Sequence, residues 1–473
     1  MSPPRPSLHV VGRRLDPEDH RLRDFLTRAA QPHEFHEAGT PDADALLAHA
    51  GALDAPLPVV IDGDTVHTHA TVESLANAWQ IHNRPRKSHY DLMIVGAGPA
   101  GLAAAVYGAS DGLSTAVAEE DVPGGQASHT SMIENFFGFV DGIGGAELAR
   151  LAGRQAERFG AELLLLNGMV GSHFAPGEPA RGTLSSGDEV TADIVLVACG
   201  MQWRRLDLDG VEELLDHGVY YGAGRSEAVQ CSGEDVMVVG AGNSAGQAVM
   251  NLATAGARVC MVVRGDSLSK SMSAYLVERV EKHPNIDVRL GTRVAELHQA
   301  GERLRDVTIE ATGGARATIP VTALFLCIGG VPRTQWAAGR HVRTDRAGFI
   351  LTGPDLLESG RRPQGWPLDR DPLALETSVP GLFAAGDVRH GSTKRVAGAV
   401  GEGAMAVTLA IGAWKSSTAR PEPRNFSGAT VSLRRDTSVP LDYPWKPLHS
   451  DSPRHCRLSP GALRSCGCRV TNV

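Results

Sequence analysis

Two glycine triads carry the residue types and the spacing that chemistry needs. The first is Gly96-x-Gly98-x-x-Gly101, at the end of Asp91-Leu-Met-Ile-Val-Gly-Ala-Gly-Pro-Ala-Gly101. Gly96 permits a tight turn, Gly98 lets a pyrophosphate approach the backbone, and Gly101 lets a helix pack closely on a strand. Pro99 and Ala100 lead into that helix, whose free N–H groups and partial positive charge face the phosphates. Glu119 follows eighteen residues after Gly101, just past the apolar run Thr115–Ala118. A carboxylate there can accept hydrogen bonds from a ribose. The second triad is Gly240-Ala-Gly242-Asn243-Ser244-Ala245, after the apolar run Val236–Val239. Two fingerprints mean two dinucleotides. The strand after the second, Arg258–Val263, runs into Arg264 and not into a carboxylate. An acid would bond the ribose of NAD, whereas an arginine can grip a 2′-phosphate, so NADPH is expected over NADH. Lys270 is a candidate second contact.

Positioning these residues takes strands and helices in alternation. The run before Gly96 reads as a buried parallel strand, Leu102–Ala109 as the helix and Thr115–Ala118 as the next strand. Upstream, residues 7–83 form a small unit. Leu8–Val11, Glu34–His36 and Pro58–Ile61 read as strands. Asp19–Ala30 (with Leu22, Phe25 and Leu26 on one face), Asp42–Ala50 and Val72–Trp79 read as helices. Asn83–Lys87 is the linker. From Lys415 to Val473 the chain has seven prolines, few apolar clusters and a basic excess, and reads as a disordered tail.

Composition removes several functions. With 21% charged and 42% hydrophobic residues the chain suits a globular protein with ample core, and its net charge of −8 gives nucleic-acid binding no electrostatic support. No apolar run is expected to reach the ~18 residues of a membrane span. Met1-Ser-Pro-Pro-Arg-Pro lacks the apolar segment of a secretory signal. Seven cysteines in 473 residues make no disulfide framework, so a reducing cytoplasm is expected.

From Tyr90 to Trp414 the chain resembles bacterial thioredoxin reductase and its close relatives. Besides the two fingerprints, the match rests on Pro123-Gly-Gly125-Gln126 with Ile133-Glu-Asn135-Phe136, and on Pro380-Gly-Leu-Phe-Ala-Ala-Gly386-Asp387 followed by Lys394-Arg-Val-Ala397. The resemblance implies an α/β fold with two Rossmann-like, three-layer nucleotide domains. An FAD domain (88–200 and 331–414) would be interrupted by an inserted NAD(P)H domain (201–330), with hinges near Gly200–Met201 and Gly329–Gly330. It implies that Gln126 and Asn135 contact FAD beside Gly125, that Gly386-Asp387 binds the ribitol, and that the backbone at Arg395, Val396 and Ala397 faces the flavin ring. It also implies a homodimer. Residues 7–83 resemble the glutaredoxin/thioredoxin fold, with Leu57-Pro58 at that family's cis-proline. Its redox pair would fall near Asp16-Pro17-Glu18-Asp19, yet residues 1–198 hold no cysteine, so this domain is expected to dock, to pack in a dimer or to be a structural appendage.

One departure decides the chemistry. The family's Cys-x-x-Cys falls on Ala223 and Ser226, counted back from Gly240, so no catalytic residue is identified. Neither residue can attack a disulfide or resolve a mixed one. Glu227, the acid that follows, has no dithiol to protonate. Cys199, Cys231 and Cys327 read as packing residues. No metal site is expected. The leading reading is hydride transfer from NADPH to FAD and on to an acceptor, a small molecule or small redox protein (ferredoxin or flavodoxin, a quinone, or oxygen). The alternatives are a disulfide reductase using Cys456, Cys466 and Cys468 of the tail, and a non-catalytic FAD-binding sensor or interaction module.

Overall fold

A short parallel pair opens the chain, β1 (Leu8–Gly12) and β2 (His33–Glu37), joined by helix α1 (Pro17–Arg28). Helix α2 (Pro41–His49), the hairpin β3 (Val59–Asp62) and β4 (Thr65–His67), and α3 (Val72–Ala78) complete a four-stranded sheet of order β2-β1-β3-β4, with β3 antiparallel to β1. In this computed structural model the described residues are 8–14, 16–174, 178–222, 228, 230–337 and 342–416. The Leu57–Pro58 bond is cis. Strand β4 was not expected, because three residues are too few to show a period. Helix α1 starts two residues early because the Asp16 carboxylate caps the N–H groups of Glu18 and Asp19, with Pro17 in the first turn. The apolar face of α1 does not end inside this unit: one buried cluster runs from Leu22, Phe25 and Leu26 to Leu102, Ala105 and Ala156.

The next unit is a parallel sheet built from β5 (His89–Val95), β6 (Thr115–Ala118), β7 (Glu162–Leu164) and β10 (Glu189–Val197), extended by the antiparallel strands β8 (Met169–His173) and β9 (Ala180–Leu184). Helices α4 (Pro99–Ser110) and α5 (Gly145–Arg158) cover one face. Buried Glu162 ties the linker to this sheet, taking bonds from the Tyr90 hydroxyl (2.7 Å), the Arg86 N–H (2.8 Å) and the His82 ring (2.8 Å).

The chain leaves through β11 (Met201–Trp203) into a second parallel sheet. Its strands are β12 (Val219–Tyr221), β13 (Asp235–Val239), β14 (Arg258–Val262), β15 (Ile286–Arg289) and, after the meander β16 (Thr292–Ala300), β17 (Arg303–Ala311) and β18 (Arg316–Pro320), strand β19 (Ala323–Leu326). The order is β12-β19-β13-β14-β15, with α6 (Asn243–Thr254) and α7 (Ala274–Lys282) as crossovers. It returns through β20 (Gly330–Pro332), which pairs antiparallel with β11, so the outgoing and returning chains form one two-stranded ribbon. Strand β21 (Leu382–Ala384) then lies parallel to the end of β10, and α8 (Val396–Ser416) packs on α4.

Helix α8 corrects one expectation. Its segment Val396–Trp414 is long and apolar enough, at mean hydropathy 1.5, to cross a membrane by composition alone. The criterion of an uninterrupted run missed it because Glu402 breaks the run without lowering the mean enough. In the fold Ala399, Ala406, Val407 and Ala410 are buried against the sheet unit, and Glu402 bonds backbone there.

Candidate functional site

Strand β5 stops where Gly96 adopts φ 102°, and Gly98 begins α4 with no side-chain cap. The first-turn N–H groups of α4 are therefore open to a ligand. The three glycines do different work. A Cβ on Gly96 would lie 2.7 Å from the Ala198 carbonyl oxygen, and one on Gly101 would lie 1.9 Å from the Gly96 carbonyl oxygen. A Cβ on Gly98 would meet nothing within 4 Å, so that position faces open space beside the helix N-terminus. Glu119 is buried, and its carboxylate accepts the N–H groups of Ala97 (2.6 Å) and Asp121 (3.1 Å). Burial pushes its carboxyl up to about 7, against these two bonds. An open cradle at an uncapped helix start with a buried acid beside it fits the adenosine diphosphate part of FAD.

The opposite wall is the segment after Glu119, which leaves the sheet. Gly124 (φ 112°) and Gly125 (φ 52°) turn it back so that Gly125 packs on Gly98. The Gln126 amide donates to the Met201 carbonyl (2.7 Å), which joins this segment to the ribbon. Exposed Asn135 lines the same cleft. From the far end of the chain come Gly386 (φ 76°) and Asp387. The Gly386 N–H donates to Glu402 of α8 (2.7 Å), which also holds Arg389. Burial raises the Asp387 carboxyl, partly offset by Lys394. Lys394 has φ 53°, donates to the Asp387 carbonyl (2.7 Å) and sits 4.1 Å above the Phe349 ring. Arg395 and Val396 border the cleft, whereas Ala397 is exposed and does not, because the first turn of α8 rotates it outward. The cleft is about 1090 Å³.

The second fingerprint opens onto this same cleft. Gly240 (φ 148°) lies against the Cys327 carbonyl, where a Cβ would come within 2.3 Å, and buried Ala245 packs beneath it. Gly242 starts α6 uncapped and, like Gly98, would place a Cβ in open space. Asn243 and Ser244 line the cleft beside Gln247, and the Asn243 side chain accepts the Ser273 N–H (2.8 Å). Gln247 donates to the Met132 carbonyl (3.3 Å), and Arg279 pairs with Glu134 (2.9 Å), which hold the two sheet units together here. Arg264 is exposed after β14 and forms no ion pair among the described residues. Lys270 is paired with Asp266 (2.6 Å) and is not free in the same way.

Ala223, Ser226 and the tail cysteines lie outside the described residues. Among the described cysteines, Cys199, Cys260 and Cys327 are free thiols, and Cys231 is buried. Cys199 and Cys327 border the cleft, and burial pushes both thiols up to about 12, far from a thiolate at neutral pH. Four cleft features had no motif to announce them: Arg28 of α1, His129, Trp203 and the Glu402 brace. Only Glu402 left a trace in sequence, as the one acid in an otherwise apolar helix.

Residues 90–403 match the family model described as pyridine nucleotide-disulphide oxidoreductase. Thioredoxin reductase of Bacillus subtilis is 30% identical over 318 residues, 67% of this chain and 92% of that protein. Among solved structures, thioredoxin reductase of T. acidophilum superposes with a TM-score of 0.61 at 26% identity, over 70% of this chain and 100% of its own. The Lactococcus lactis enzyme in its FR conformation gives 0.60 at 27% identity, over 68% and 98%.

Two measurements test the site. Gly98→Val is expected to fold, judged by circular dichroism, and to purify without flavin. Gly101→Ala is expected not to fold, because an overlap at 1.9 Å costs ~3 kcal/mol or more; flavin-replete Gly98→Val would remove the cradle. Ribose hydroxyls donate to the ionised form of Glu119, so binding lowers its pKa from about 7 and releases a proton. FAD affinity should therefore rise with pH through 7, by at most about tenfold per unit. A flat titration between about pH 6 and 8 by calorimetry contradicts this role.

Proposed function

The chain belongs to the pyridine nucleotide-disulphide oxidoreductase family, as an FAD-dependent NAD(P)H oxidoreductase of thioredoxin-reductase type, and on that premise we propose that it reduces an acceptor without a dithiol. One observation carries this reading: both fingerprints open onto a single cleft whose only described cysteines, half-buried Cys199 and buried Cys327, are thiols that desolvation keeps un-ionised. Bound FAD would accept a hydride from the nicotinamide and pass on the electrons. The chain's own residues supply position. The α4 N-terminus holds the pyrophosphate, Glu119 the ribose and Asp387 the ribitol, while Gly125, Gln126, Asn135, Arg395 and Val396 flank the ring. Asn243, Ser244 and the α6 N-terminus hold the nicotinamide dinucleotide against that cleft, with Gln247–Met132 and Arg279–Glu134 joining the two sheet units beside it. Arg264, free after β14, favours NADPH, and Asp266 weakens Lys270 as its helper. The acceptor is a small molecule or small redox protein such as a ferredoxin, a flavodoxin or a quinone. The functional unit is a homodimer.

An anaerobic titration followed by an acceptor panel tests the whole reading. NADPH should bleach the flavin, small acceptors should restore it, and thioredoxin should turn over far below the ~1 s⁻¹ expected of an enzyme. Ending the chain after Trp414 should change none of this. Enzyme-like thioredoxin turnover lost on that truncation would assign the chemistry to the tail cysteines. Failure of either coenzyme to bleach the flavin would favour the sensor. Arg264→Ala should raise the KM for NADPH about ten- to hundredfold, the value of a ~1.5–3 kcal/mol charge-assisted contact, and leave that for NADH alone. Equal loss with both coenzymes would place Arg264 elsewhere.

A further inference from the structure

The N-terminal unit reaches the flavin cleft through one side chain. Arg28, in the last turn of α1, borders the cleft and is only 12% exposed. Its guanidinium has three partners. One is Asp24, one turn back on α1 (3.2 Å); the other two belong to the segment that wraps the proposed flavin site, Asp121 (2.5 Å) and the Ser128 hydroxyl (3.3 Å). Those two residues are themselves tied to the cofactor positions. The Asp121 N–H donates to Glu119 (3.1 Å), and the Ser128 hydroxyl donates to the Gly125 carbonyl (2.7 Å). A planar fork thus spans both ends of residues 119–128 at once, which an ammonium cannot do.

The segment needs such a brace. It lies outside the sheet, turns through two left-handed glycines, and carries Gly125 directly on Gly98, where the pyrophosphate would lie. A shift of the segment is therefore a shift of the cradle. The apolar cluster shared by α1 with α4 and α5 fixes the helix that presents Arg28. We propose that the N-terminal unit is a structural wall of the flavin site, and that Arg28 is a positioning residue that sets the flavin-wrapping segment. This inference rests on the flavin reading above and replaces a detachable docking module with a built-in part of the site.

The test is flavin binding by the full chain, with no coenzyme or acceptor present. Arg28→Ala should weaken FAD on the order of tenfold and change the visible circular dichroism of the bound flavin. Arg28→Lys should recover part of both. Asp121→Ala should act through the same link, so the double variant should lose less than the sum of the two singles. Arg84→Ala breaks a different link of the N-terminal side to the sheet unit, to Asp188 at 2.9 Å, and should leave flavin binding unchanged. If Arg28→Ala lowers the melting temperature while FAD affinity and spectrum stay as in the parent, Arg28 merely docks the domain and the inference is overturned. Strictly additive losses also overturn it. A parent protein that takes up no FAD defeats the flavin reading itself, a result separable from both.

Discussion

At three points in the flavin half a glycine lets one backbone lie on another with no space for a methyl group. Gly101 rests on the Gly96 carbonyl, Gly403 on that of Ala100 and Gly145 on that of Ala127, where added Cβ atoms would stand 1.9, 2.0 and 1.8 Å away. Helix α4 is thereby pressed between its own turn and α8. This is how residues 290 positions apart, Gly96 and Gly386, come to border one cleft. Each glycine forgoes ~0.5–1 kcal/mol of helix stability relative to alanine. The return is a helix N-terminus held flush with a sheet end, where its dipole is least screened.

Burial and charge divide the cleft into two kinds of group. The acids of the cleft, Glu119 and Asp387, are raised by desolvation yet keep hydrogen-bonded or charged neighbours that favour ionisation. Desolvation also raises the thiols of Cys199, against the pull of Arg333 and Trp336, and of Cys327, where nothing opposes it, and both stay protonated. Among the described residues, the cleft thus offers carboxylates that accept hydrogen bonds and thiols that stay protonated. Lys394, strained at positive φ and packed on Phe349, is half-buried in the C-terminal wall, and burial lowers its pKa against the pull of Asp387 and Glu402.

What was legible in the chain was local. Both fingerprints, the acid after the first and the arginine after the second are set by turns and strand ends, and a turn writes its requirement into a few adjacent residues. Strand β4 is too short to carry a period. The Lys270–Asp266 pair was in plain view as an i, i+4 spacing, but the reading toward a phosphate passed over it. Ala397 was carried along with its motif, while the first turn of α8 decides which backbone faces the cleft. Arg28 was not legible at all. Its partners lie 93 and 100 residues away, and an arginine in the last turn of a helix is ordinary sequence.

The β11–β20 ribbon has a consequence for how the molecule comes apart. The inserted sheet leaves and re-enters its host between residues that already face each other across an antiparallel pair, Met201 opposite Pro332 and Trp203 opposite Gly330, with Arg204 N–H bonded to the Gly329 carbonyl beside them (3.0 Å). The host therefore sees the insert as a loop whose ends are closed, and the insert's length adds almost nothing to the entropy of holding those ends together. The insert has its own apolar clusters on both faces of its sheet. On heating or in denaturant it is built to melt and re-form as a cooperative unit of its own, with the ribbon as the seam at which unfolding stops.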